Sequence, residues 1–242
     1  MVLGIRPNVF VAIGGALAIL GGAAAQTATA EPLSEAHIQR QQLVHQAAGD
    51  VRAVDAEVAS AGFPFSLTRF YHWDPEAPAG LLGKGWRLSL EARLVPSANT
   101  VTLDEADGTD TVFTRQADGS YTAPAGAQYA LTAAANAGYS LVSQDGSSRE
   151  FDATGRLTHW LNAADEGLQL VYTPTGRIAS VTDAEGHAAA FSTDSEGRLL
   201  RVTFVGGVVT YVYSSQGYLT RVAGVDGSVR TYAYDAQGQL IS

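Results

Sequence analysis

With no cysteine present, any chemistry in this 242-residue chain falls to five histidines, 24 acids and ordinary hydroxyls. Asp104, Glu105, Asp107 and Asp110 crowd into LDEADGTD, and Ca2+ takes several hard oxygens of that kind. The spacing does not fit an EF-hand loop, and Asp107-Gly108 reads as a hairpin turn. Asp183, Glu185 and His187 form a second polar group, which coincides with another turn. His72 beside Trp73, and His159 beside Trp160, are candidates for sugar binding or base catalysis, although packing or a surface position is the commoner fate of a histidine. There is no G-x-S-x-G elbow, H-E-x-x-H pair or glycine-rich phosphate loop, and no thiol nucleophile. The expectation is a non-enzyme, with no catalytic residue, no metal site and no cofactor.

The elements that would carry such residues are set by composition. Charged residues make up 16%, glycines number 26, and the formal net charge is −9 with Lys84 as the single lysine. Phosphate backbones need a basic footprint, so nucleic acid is not an expected partner. The first thirty residues stand apart. Arg6 precedes the apolar run VFVAIGGALAIL, and Ala23-Ala24-Ala25 and Ala28-Thr29-Ala30 offer small-x-small cleavage sites. That is the anatomy of a secretory signal peptide, too short in its apolar core to span a bilayer. Export by a cleaved signal over 1–30 is expected, to the periplasm, cell surface or medium.

Residues 31–48 read as a helical or linker segment. Ser34 can cap a helix over 34–48 that Gly49 ends, with His37 and His45 solvated on it. Strands follow. FPFSLTRFYHW puts Phe63, Phe65, Leu67, Tyr71 and Trp73 on one parity. WRLSLEARL puts Trp86, Leu88, Leu90, Ala92 and Leu94 on one face, and reads as a half-buried antiparallel strand. Beyond Val101, Asp-Gly and similar turn signals recur about every ten residues between alternating runs, which predicts an all-β meander.

One phrase recurs. Gly155, Gly176, Gly197, Gly217 and Gly238 lie 21, 21, 20 and 21 residues apart. Four residues before each glycine stand Phe151, Tyr172, Thr193, Tyr213 and Tyr234; two after it stand Leu157, Ile178, Leu199, Leu219 and Leu240. In YAYDAQGQL, Tyr232 and Tyr234 share a strand face, Asp235 opens a turn through its carboxylate, and Gly238 supplies positive φ. Each unit is one hairpin of about 20 residues, marginal alone and supported by stacking on its neighbours.

This pattern, Y-x-Y-D-x-x-G-x-L at a 20–21-residue period, resembles the YD repeat of the Rhs family, related to the teneurins. The preceding GDVRAVDAEVASAGFPFSLTRFYHW and GLLGKGWRLSLEARL are similar to the domain ahead of the repeats in bacterial Rhs proteins, through Arg69, Tyr71, Gly83, Gly85 and Trp86. DGTDTVF and DGSSREFDATGRL continue the likeness, which covers residues 49–242. The resemblance implies a β-rich pre-repeat domain over 49–144 and YD repeats over 145–242. Together they form an antiparallel meander of hairpins, an open, spiralling sheet after the short helix. In that family such sheets wind into hollow shells that commonly enclose a toxic C-terminal domain, while other members act in adhesion or carbohydrate binding. About five partial units are too few to close a shell.

The expected function is therefore that of a secreted, non-catalytic structural module: the N-terminal part of a YD-repeat shell that scaffolds or encloses an effector in intercellular competition. The alternative is an extracellular or cell-surface binding module for glycans or proteins, which needs repeat tyrosines outside the core. Expected partners are further YD repeats or a second copy at the sheet edge, with a toxin domain or a surface glycan as further candidates.

Overall fold

A computed structural model describes residues 51–58, 65–134 and 137–242. The expected signal peptide and the expected helix over 34–48 lie outside the described residues. The fold is all-β and wholly antiparallel, arranged as three sheets. β1 (Val51–Val58), β2 (Phe65–Tyr71) and β3 (Trp86–Leu88) form the first, in that order. β4 (Arg93–Pro96), β5 (Thr100–Asp104), β6 (Asp110–Arg115) and β7 (Tyr121–Thr122) form the second.

The third is an eleven-stranded meander in strict chain order. It begins with β8 (Tyr129–Ala133), β9 (Tyr139–Ser143), β10 (Ser148–Phe151), β11 (Leu157–Leu161), β12 (Gly167–Tyr172) and β13 (Ile178–Thr182). It continues through β14 (Ala188–Thr193), β15 (Leu199–Phe204), β16 (Gly207–Tyr213), β17 (Leu219–Ala223) and β18 (Val229–Thr231). The sheet is open. After β18 the chain turns back on itself, where Tyr234 bridges Leu240 and Ile241 N donates to Ala233 O at 2.9 Å.

Period-two alternation gives each strand one apolar face, and those faces meet in a single core. From the large sheet come Leu157, Leu199, Val209, Leu219 and Val222; from the small sheets come Trp86, Leu88, Leu103 and Phe113, all without exposed surface. Each such side chain contributes roughly 1.5–3 kcal/mol relative to exposure. The small sheets thus cover one face of the meander, and the other face carries Val142, Val171, Val208 and Val212 toward solvent.

WRLSLEARL departs from its expectation. Its five apolar residues are all buried, but it is not one strand. A 3-10 turn, Ser89–Glu91, interrupts it, and its two ends belong to different sheets. The cause is Glu91, whose carboxylate accepts from Leu88 N at 2.7 Å and Leu81 N at 2.8 Å and so draws the chain out of extension. No helix among the described residues is long and apolar enough to cross a membrane.

Candidate functional site: a docking row along the repeat turns

The recurrent phrase builds the same turn five times. The residue three before each glycine donates its N–H to the carbonyl one past the glycine: Asp152 to Arg156, Thr173 to Arg177, Asp194 to Arg198, Ser214 to Tyr218, and Asp235 to Gln239, at 2.7–2.9 Å. Where that residue is aspartate, its Oδ1 also accepts backbone N–H groups, as Asp235 does from Gln237 and Gln239. Gly155, Gly176, Gly197, Gly217 and Gly238 all have φ between +78 and +85°.

Neighbouring units are latched by tyrosine. Tyr172 Oη donates to Leu157 O at 2.6 Å, Tyr213 Oη to Leu199 O at 2.7 Å, and Tyr234 Oη to Leu219 O at 2.6 Å. Each ring also covers the residue just past the previous unit's glycine. Arg156 lies 4.9 Å from the Tyr172 ring centre, Arg198 5.1 Å from Tyr213, and Tyr218 stacks on Tyr234 at 4.8 Å. Burial pushes the phenols of Tyr172, Tyr213 and Tyr234 up from their ordinary range. The repeat tyrosines therefore face the covered side of the sheet, hydroxyls engaged.

The pre-repeat residues run along this row. Leu94 N donates to Gly155 O at 2.8 Å, Lys84 N to Gly217 O at 3.2 Å, Leu199 N to Leu81 O at 2.7 Å, and Leu240 N to Tyr71 Oη at 2.8 Å. Gly83, at φ +81°, sits so close to Gly217 O that a Cβ would strike it; at Gly85, φ +75°, a Cβ would meet the Tyr71 ring. Trp86 Nε1 donates to Tyr234 Oη at 2.9 Å, and its ring centre lies 5.0 Å from that of Tyr232.

Beneath these contacts lies a buried ionic node. Arg69 Nε donates to both oxygens of Asp55 at 2.7 Å, with neither side chain exposed. Tyr211 Oη from the large sheet donates to Asp55 Oδ2 at 3.0 Å, and Arg230 approaches Oδ1 at 3.6 Å. Arg69 Nη1 and Nη2 have no hydrogen-bond partner, and the guanidinium carbon stands 4.8 Å from the Trp86 ring and 5.1 Å from that of Tyr232. Aromatic faces take the place of acceptors there.

The structure thus brings Arg69, Tyr71, Gly83, Gly85 and Trp86 together with Tyr213, Gly217, Tyr232, Tyr234 and Gly238. Sequence reasoning missed Asp55, Tyr211, Leu81 and Glu91. One signal for Asp55 was present: an acid on the apolar parity of β1, beside Val51 and Ala53. The acids of LDEADGTD do not converge. Asp104 pairs with Arg87 and Arg93, Glu105 with Arg149, and Asp107 accepts from Thr109 within its own turn. Asp183, Glu185 and His187 do place ligand-type atoms within 4.8 Å of one another, in an exposed turn where His187 Nδ1 lies 3.0 Å from Asp183 Oδ2. His159 lies 3.4 Å from Glu150, on the uncovered side. What the row does chemically is dock backbone to backbone.

Two parts of the chain match known families. Residues 44–113 match the family described as domain of unknown function DUF6531, and residues 213–242 match the RHS repeat. The chain is 29% identical over 99 residues to double-stranded DNA deaminase toxin A of Burkholderia cenocepacia (strain H111), a match that takes in 40% of this chain and 7% of that protein. Among solved structures it is similar to a chain of the TcdB2-TccC3-TEV crystal structure, at 13% identity and a TM-score of 0.27, over 73% of this chain and 10% of that one. The chain spans less than a tenth of the curated relative it matches. With five repeat turns and three tyrosine latches, the chain is similar to RHS-repeat (YD-repeat) proteins, and its DUF6531 match lies ahead of its RHS-repeat match.

Proposed function

We propose that this chain is a non-catalytic wall module: the N-terminal part of an RHS/YD-repeat β-shell that scaffolds or encloses an effector. The observation that carries the reading is the eleven-stranded sheet whose repeat tyrosines are committed to latching one unit to the next. Those side chains specify geometry, with their hydroxyls spent on the neighbouring unit. The similarity to a small part of a deaminase toxin supports an effector context, and the deaminase chemistry is ascribed to that protein alone. Further repeats, or a second copy, would add beside β18 and the returning Leu240–Ser242 segment, where the meander is open. The signal-like residues 1–30 support export as part of the same reading.

The test is native mass spectrometry with limited proteolysis on the protein isolated from medium, periplasm and cell fractions. A species whose N-terminus begins near Glu31, outside the cytoplasm, and which shields a further segment from protease, is the expected result. A monomer of residues 31–242 that is stable and shields nothing would sink the shell reading.

A further inference from the structure

Four of the five repeat turns are tied to the pre-repeat segment, through Leu94, Leu81, Lys84 and Tyr71. The Gly176 turn makes no such bond among the described residues. There the pre-repeat chain stands off, and a cleft of about 200 Å3 opens. Gly176, Arg177 and Ile178 line it together with Leu81, Glu91 and Arg93.

Arg177 lacks both partners that hold its counterparts. Arg156 and Arg198 each donate Nε, at 2.8 Å, to a carboxylate four residues earlier, Asp152 and Asp194, and each lies under a tyrosine ring of the next unit. In the Gly176 unit the carboxylate position is Thr173 and the ring position is Thr193. Thr173 Oγ1 takes only the backbone N–H of Arg177, at 3.1 Å. The guanidinium lies over Gly197, half-buried, with no hydrogen bond or ion pair among the described residues. Glu91 feels its charge through space, but both Glu91 oxygens already accept backbone N–H groups, from Leu81 and Leu88. The cleft therefore holds one cation with no acceptor of its own.

We propose that this cleft is a seat for a peptide segment that brings a carboxylate to Arg177. Two observations select that occupant. Three of the other four turns are bonded by backbone groups of the pre-repeat chain, at Leu94, Leu81 and Lys84, so the vacant turn offers the same kind of partner to a peptide backbone. The charge left unmatched is a guanidinium, whose strongest partner is a carboxylate held by two parallel hydrogen bonds. The incoming group would do for Arg177 what Asp152 and Asp194 do for the flanking units. This seat does not depend on the wall reading.

The test uses the full chain, two blocked peptides and one small anion: acetyl-Ala-Asp-Ala-amide, its Asn analogue, and acetate. Binding is followed by backbone amide NMR. The Asp peptide is expected to shift Leu81 and residues 176–178 with a Kd of roughly 0.1–1 mM, at least tenfold tighter than the Asn peptide. Thr173→Asp, which rebuilds the pair found in the flanking turns, and Arg177→Gln should each weaken binding at least tenfold and leave distant amides unchanged. Equal binding of the Asp and Asn peptides overturns the proposal, as does undiminished binding to Thr173→Asp. If acetate binds as tightly as the Asp peptide, the site takes a bare anion and the peptide seat is refuted.

Discussion

A turn glycine in this sheet meets two demands. It holds positive φ, and it leaves room for what lies over it. Gly155 and Gly186 separate these. Both have φ above +80°, but a Cβ on Gly155 would run into the Leu94 carbonyl, whereas Gly186 has nothing within 4 Å. Gly186→Ala should cost about 1–2 kcal/mol, the strain of a left-handed residue. Gly155→Ala should cost at least about 2 kcal/mol more, because Leu94 must shift and its bond to Gly155 O breaks. Urea denaturation of both variants gives the difference; equal costs would mean the docking contact contributes nothing. The sequence showed which glycines turn, since Asp-x-x-Gly carries its own geometry. It could not show which ones lie beneath another chain segment, because that neighbour is some sixty residues distant.

At the scale of the hairpin, periodicity was legible and one irregularity was not. Apolar residues recur two and five positions past the first four repeat glycines, a spacing of three that no regular strand places on one face. The structure resolves this with a bulge in the same place each time: Thr158, Ala179, Leu200 and Thr220 are the extra residues. The tyrosine latch was equally hidden, because alternation says where a ring points and not what its hydroxyl meets. Tyr213→Phe should lower stability by roughly 0.5–1.5 kcal/mol at neutral pH. Alkali tests the latch further. Burial raises the phenol pKa of Tyr172, Tyr213 and Tyr234 above the ordinary value near 10. Below pH 10 these groups are neutral in both folded and unfolded chains, and their contribution is complete. Above it, unfolded tyrosines ionise while the folded ones keep their protons, so stability falls as pH rises. Denaturation at pH 8 and pH 11 should show that loss in the parent and a smaller loss in Tyr213→Phe; a flat profile in the parent would refute the assignment.

The whole molecule depends on the cover staying on the sheet; Glu105 meets Arg149 at one place, and Asp55 forms the fully buried join at another. It receives Arg69 from its own sheet and Tyr211 from β16, out of water. Asp55→Ala would leave Arg69 charged and buried, at a cost of about 3–5 kcal/mol. Hydrogen exchange should then quicken in β16–β18 while β10–β13 keep their protection; uniform loosening would mean that the node holds no particular part. The order of strands was predictable from the repeat, but the docking was not. Asp55 and Tyr211 stand 156 residues apart, and a single sequence gives no register between segments so distant.

The bulge repeated beside four successive turns bears on how such a molecule can change. Because four successive units each bear a bend at the same position, the curvature they add is a running total. Duplicating one unit beyond the docked turns lengthens the arc by a fixed increment and leaves every other unit's strand pairing as it was. Losing a single residue inside a unit does the opposite: it exchanges inside and outside for the remainder of that strand. A gene of this kind can alter the length of its sheet by counting, and tolerates whole steps far better than fractions of one.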